Sequence, residues 1–259
     1  MLNKIENLIP LNYRIRILKK VFSIALPYWR RINRNCDPRK WSNDELKRLS
    51  PHFTGDVINI AGGKDSDKEN KLYKHYFINV DSYTVANYEK QYSEKNQDNA
   101  ILLDLSIPLE NASPLLETYD VVFTHTVLEH IFDINTAISN LCKISKDIVI
   151  TVVPFIQSFH QKEKYYHDYW RFTPYCIYRL FKDNGLDTIY INWNNDPHGN
   201  IYLFHIASKK KEKWKNIIKM NFGKTVVSGP GAFRQSLLSY TDIETMTDST
   251  IKISDISDN

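Results

Sequence analysis

Val57-Ile58-Asn59-Ile60 is a short apolar run that leads into the small-residue turn Ala61-Gly62-Gly63, and a second apolar run, Ile78-Asn79-Val80, ends on Asp81. A buried strand, a turn without side-chain bulk and a second strand closed by an acid outline the first half of a βαβ unit. Asp81 follows Gly63 by 18 positions, near the spacing such a unit needs. Glycines there let backbone approach a nucleotide-like ligand, and a carboxylate can take a ribose hydroxyl pair. A plain structural turn at the end of a buried strand leaves the same trace, so the later strand ends must decide between the two.

Hydrophobic periodicity predicts strands near 57–61, 76–80, 100–103, 119–124, 147–153, 187–193 and 201–207, and helices near 66–75, 134–144 and 174–184. Thr173-Pro174 opens the last helix as a cap followed by proline, and Gly185 stops it. Strands separated by single helices imply a mainly parallel sheet covered on both faces. The final two strands, joined through Asn194–Gly199, read as a hairpin that puts one antiparallel strand into that sheet. At 259 residues the chain suits one α/β domain with extensions: 1–50 a basic amphipathic helical arm, 51–208 the domain, and 209–259 a partly disordered C-terminal extension.

The arm carries much of the charge asymmetry. Residues 1–40 hold ten Lys/Arg against Glu6 and Asp37, whereas the whole chain is only +4. Leu11, Ile15, Leu18, Phe22 and Ala25 fall at helical spacing with Arg14, Arg16, Lys19 and Lys20 beside them, and Pro27 is expected to end that helix. The apolar run Val21–Trp29 is too short to span a bilayer, and no small-residue cleavage site follows it. Two readings stay open: a helix in a membrane interface with Tyr28 and Trp29 at headgroup level, or one packed on the domain or on a second subunit of a homodimer. Ser42-Asn43-Asp44-Glu45 predicts a capping box at the start of a short helix. Three scattered cysteines (Cys36, Cys142 and Cys176) give neither a disulfide framework nor a zinc spacing, which points to a reducing compartment.

In open parallel sheets, ligands lie beyond the carboxyl ends of the strands. Here those ends carry Ala61-Gly62-Gly63, Asp81, Asp104-Leu105, Thr124–His130 and Val153-Pro154-Phe155. Three successive strands delivering polar groups to one edge are hard to explain by packing alone.

This series resembles the ordered motifs of class I S-adenosylmethionine-dependent methyltransferases in Val57–Asp65, Asp81, Asp104-Leu105 and Asp120–His130. Pro154-Phe155, His160 and His167-Asp168-Tyr169-Trp170-Arg171-Phe172-Thr173-Pro174 resemble, more narrowly, the type 11/12-like subgroup associated with surface-polysaccharide synthesis. The resemblance covers roughly 53–208. It implies a Rossmann-like, seven-stranded, mainly parallel sheet with one antiparallel strand and helices on both faces. It also implies S-adenosyl-L-methionine as cofactor. Asn59, Ala61, Gly62 and Gly63 would meet that cofactor, Asp81 and Ser82 its ribose, Asp104 and Leu105 its adenine, and His125 or Thr126 its methionine part. The family usually has an acid where Asn59 stands and glycines where Ala61 and Asp65 stand.

A hydroxyl acceptor calls for a general base, for which His160, His167 and Asp168 are the candidates, with His130, Tyr169 and Arg171 toward the substrate. Asp168 and Arg171 could equally form an internal ion pair that fixes the loop. The two histidines flank a polar loop without a third ligand, so no metal is expected. The subgroup implies a sugar or glycan acceptor, nucleotide- or lipid-linked, and the basic amphipathic arm adds the expectation of a cytoplasmic protein at the inner face of a membrane, with peripheral contact through residues 1–35. The rival from another class is a non-catalytic partner in a glycan-assembly complex. Nucleic acid is disfavoured, because no Asp/Asn-Pro-Pro-Tyr tetrad for a flipped base is present.

Overall fold

The computed structural model describes residues 11–32, 34–61, 63–88, 101–160, 166–194, 196 and 200–218. Gly62, residues 161–165 and the C-terminal stretch from 219 lie outside the described residues. Helix α1 (Leu11–Ile32) is followed by α2 (Pro38–Leu49) and then by strands β1 (Asp56–Ile60), β2 (Ser82–Asn87), β3 (Ile101–Leu102) and β4 (Tyr119–His125). Then come α3 (Ile134–Ile144), β5 (Ser145–Ile156), α4 (Pro174–Asp183), β6 (Asp187–Trp193), β7 (Ile201–Ser208) and the short α5 (Lys211–Trp214).

The strands form one seven-stranded sheet in the order β3-β2-β1-β4-β5-β7-β6. The first five are mutually parallel, and β7 runs antiparallel to both β5 and β6. Burial on both faces explains the near-continuous apolar sequence of β4 and β5. On one face α3 and α4 bury Ile138, Leu141, Ile177 and Phe181 against Ile58, Val122 and Leu203. On the other, α2 supplies Trp41, Leu46 and Leu49, and α5 supplies Trp214, against Val57, Phe123, Ile150 and Phe204.

Local chemistry accounts for the boundaries of α4. The Thr173 side chain accepts from Cys176 N, Pro174 opens the first turn, and Gly185 at φ +81° takes the left-handed position beyond the end.

The structure corrects four sequence expectations. Helix α2 begins at Pro38 behind Asp37, whose carboxylate accepts from Arg39 N and Lys40 N, so Ser42–Glu45 lies inside a helix that was already capped. Helix α1 runs through Pro27 to Ile32, forgoing a backbone bond instead of ending. No helix forms over 66–75. Asp67 Oδ1 accepts from Glu69 N and Lys71 N, Ser66 bridges to Leu72, and only a 3₁₀ turn at Tyr73–His75 is helical. Aspartates that capture nearby N–H groups compete with a helix, and here they win. The strand expected at 76–80 is a turn. Tyr76 and Phe77 are buried anchors, Ile78 is exposed, and β2 starts only at Ser82.

Candidate functional site

Strand order reverses between β1 and β4, so the carboxyl ends of these neighbours open a crevice. Both strands leave the sheet through a left-handed residue: Ala61 has φ +57° and Thr126 has φ +52°. Each N–H still reaches the adjacent strand, Ala61 to Ala86 O at 2.6 Å and Thr126 to Val152 O at 2.8 Å. A β-branched residue in this region costs about 1–3 kcal/mol, and such strain gathers where a backbone must face a ligand. Two cavities of about 710 and 220 Å³ share Ala61, Thr126 and Val127 as walls.

Arg39, Asn59, Tyr73 and His125 wall the smaller cavity. Helix α2 sets two residues one turn apart against the end of β4: Arg39 Nη2 donates to Thr126 Oγ1 at 3.0 Å, and Ser42 Oγ lies 2.8 Å from His125 Nε2. Ser42 already donates to Arg39 O, so it accepts from Nε2–H, which leaves Nδ1 as the acceptor, 3.4 Å from Thr126 Oγ1. Burial and then the Arg39 charge hold the His125 pKa well below its usual value, so the ring is a neutral structural link. Among the described residues Arg39 forms no ion pair, and its guanidinium lines the cavity.

The loop after β1 is wired from within. Asp65 (φ +55°) is buried, and its carboxylate accepts from Asn59 Nδ2 at 2.9 Å, Tyr83 OH at 2.6 Å and Lys74 N at 3.2 Å. An acid at position 59 would face that carboxylate, which accounts for the amide there. Gly63 N donates to Asn87 Oδ1 at 2.8 Å, so the described part of β2 ends on an amide tied to this loop.

Leu103, Asp104, Leu105 and Ser106 line one side of the larger cavity, and His130, Tyr166, His167 and Tyr169 line the other. Asp104 Oδ1 accepts from Ser106 N and Oγ, which fixes the turn after β3. His130 Nδ1 donates to His167 O at 2.6 Å, leaving Nε2 unprotonated 3.7 Å from Glu129 Oε1. Burial lowers the His130 pKa. Glu129 is 1% exposed and its Oε2 has no hydrogen-bond partner, so burial pushes this acid up to about 8 and it stays protonated at neutral pH.

Behind this wall, Asp168 and Arg171 tie Gln157, Ser158 and His160 to the stretch before α4. All five Arg171 N–H groups are used, on both Asp168 oxygens and on the carbonyls of Gln157, Ser158 and Trp170. Burial of Asp168 works against its charge, but the Arg171 bonds and His160 N outweigh it and hold the pKa below normal. Asp168 Oδ2 also lies 3.3 Å from His160 Nδ1, whose ring stands 5.3 Å from that of His130.

Asn59, Ala61, Gly63, His125 and Thr126 thus meet at the smaller cavity, and Asp104, Leu105, His130, His167 and Tyr169 at the larger one. Asp81 and Ser82 do not reach either. Asp81 N donates to Gly55 O and Ser82 Oγ to Asp56 Oδ1, at the edge where β1 enters the sheet, because the strand begins after Asp81 instead of ending on it. Arg171 has no donor left for a substrate, and the Asp168 side chain, with none of its surface exposed, is taken up by Arg171 and His160. Arg39 and Ser42 were missed, although Asp37-Pro38 is a cap signature that would have set both on one helix face.

No protein-family model matches the sequence, and neither does any curated protein. Solved structures similar in fold include a 1,6-didemethyltoxoflavin-N1-methyltransferase of Burkholderia thailandensis with bound S-adenosylhomocysteine (12% identity, 78% of this chain and 92% of that one, TM-score 0.45). An S-adenosylmethionine-dependent methyltransferase of Mesorhizobium loti matches at 7% identity over 64% of this chain and 96% of that one, with TM-score 0.47. A chain of the Haloferax volcanii complex between the Trm112 methyltransferase activator and a methyltransferase matches at 12% identity, 64% and 88% coverage and TM-score 0.48.

Proposed function

We propose that the chain is an S-adenosylmethionine-dependent methyltransferase that O-methylates a sugar or glycan. The observation that carries the reading is the cleft over the β1/β4 reversal, with a guanidinium that pairs with no acid among the described residues at one end and histidines at the other. The residues fit the cofactor: Arg39 can take its carboxylate, and Leu103 and Leu105 offer an apolar wall for its base beside Asp104. When bound, that group brings a methyl already activated on a sulfonium.

The protein's own task is orientation and proton removal. Holding the reactants in line supplies several kcal/mol of the barrier. His160, held through Nδ1 by Asp168, takes the acceptor's hydroxyl proton on Nε2, and Tyr166 and Tyr169 offer faces that suit a sugar ring. The glycan acceptor rests on the likeness of His167–Pro174 to the polysaccharide subgroup.

Calorimetry with S-adenosylhomocysteine and with 5′-methylthioadenosine, which lacks the amino-acid carboxylate, tests the site. Arg39→Ala is expected to weaken the first by about tenfold or more and leave the second unchanged. An equal effect on both overturns the assignment of Arg39. The acceptor is tested by mass spectrometry of surface glycans with and without the gene, where one methyl group should be lost. The non-catalytic alternative draws support from the engaged amides of Asn59 and Asn87, and predicts no binding of either compound.

A further inference from the structure

Helix α1 leaves a long apolar stripe in solvent. Tyr13, Ile17, Val21, Ile24 and Tyr28 recur every three or four residues, which sets them on one face, and each is 48–69% exposed. Arg16 and Lys20 border this stripe at helical spacing, and both are exposed. Between residues 11 and 32 there are six Lys/Arg and no Asp or Glu. A second copy of the same helix would bring like charges together, whereas an anionic surface neutralises them. Among the described residues no helix is long and apolar enough to cross a membrane. A helix that cannot span, with a wide apolar face, aromatic residues at both ends of that face and a one-signed polar border, has the composition of a segment lying in a bilayer interface.

The connection to the cleft is short. Two residues beyond α1, Arg34 forks onto Asp44 of α2 (Nε to Oδ2, 2.8 Å) and onto Glu69 of the loop after β1 (Nη1 to Oε1, 2.8 Å). Asp37 then caps α2, and Arg39 of the first turn already lines the smaller cavity. We propose that α1 docks in the headgroup region of an anionic lipid bilayer and holds the cleft at the membrane surface. The helix, about 33 Å long, lies along the bilayer with the stripe turned to the acyl boundary and Arg16 and Lys20 reaching back to lipid phosphates. If the methyltransfer reading is right, the acceptor is one presented from that surface; the docking itself does not depend on that reading.

The full chain is mixed with phosphatidylcholine vesicles, with and without phosphatidylserine, and sedimented. Binding to the anionic vesicles and little to the neutral ones is expected. Ile17→Asp with Ile24→Asp, both at exposed positions, should lower the partition by about tenfold or more, and Lys20→Gln with Arg16→Gln by roughly the same factor. The helix content of each variant is checked by circular dichroism. A full chain that stays in the supernatant with anionic vesicles overturns the proposal, as does undiminished binding by the Ile17→Asp/Ile24→Asp variant. Analytical ultracentrifugation supplies the rival outcome: a dimer that the same variant abolishes would assign the stripe to a second copy. S-adenosylhomocysteine affinity is measured in parallel. Its absence in the parent chain would sink the methyltransferase reading and leave the docking result standing.

Discussion

Glu129→Gln changes one buried acid into its neutral isostere and turns a burial cost into a measurable slope. In the folded protein this carboxyl titrates near 8, against 4.5 for an ordinary glutamate. Between those values the unfolded chain has lost the proton while the folded one keeps it. Stability of the parent protein therefore falls as pH rises through that window, by about 1.4 kcal/mol per unit, and levels off above it. Over the full window Glu129 removes about 5 kcal/mol of stability, undiminished by solvent because the side chain is buried. The glutamine variant has nothing to titrate there. Its amide leaves a donor where Oε2 had no partner, a fixed cost of about 1–3 kcal/mol. That offset moves the variant's curve without tilting it. Arg39, Arg171, Asp168 and His130 face the site in both proteins, so their contributions cancel to first order in the difference. Urea unfolding followed by tryptophan fluorescence, from about pH 5 to pH 8, reads the difference directly. The variant should gain on the parent steadily across this range. Parallel curves would refute the reasoning and mean that Glu129 is ionised in the fold.

The remaining predictions are shorter. His160→Ala should lower turnover by about 10²–10⁴ while S-adenosylhomocysteine affinity is kept, and Asp168→Asn should shift the pH–rate profile; equal activity of the His160 variant would remove the base. Asp81→Ala should leave cofactor affinity unchanged in calorimetry, since the residue lies at the opposite edge of the sheet, and a tenfold loss would contradict that position.

Elements β4, α3, α4 and the β6–β7 hairpin were legible because their signals are local: buried β-branched runs, Thr173-Pro174 and Gly185. The mainly parallel sheet followed from these, with the single antiparallel strand where the hairpin required it. The second strand was misread because Ile78-Asn79-Val80 alternates as convincingly as Tyr83-Thr84-Val85-Ala86. What decides between them is a bond from Asp81 N to Gly55 O, 26 residues back, and local pattern does not record it. The acid assigned to the ribose was lost with that register. Arg39 was hidden for a related reason: 87 residues separate it from Thr126, and in the sequence it is one basic residue among many in the arm.

The seating of α2 has a consequence for how the molecule is made. Arg48 and Glu45 hold Tyr190 of β6 across 142 and 145 residues of chain, so the helix that carries Arg39 docks fully only after most of the protein exists. At translation rates of about 5–20 residues per second, the basic first helix and its apolar stripe are out of the ribosome for on the order of ten seconds before the cleft can close behind them. A nascent chain of this kind meets other surfaces before it meets its own last strands. The order of synthesis thus leaves the stripe of α1 uncovered for seconds before the sheet behind it is complete.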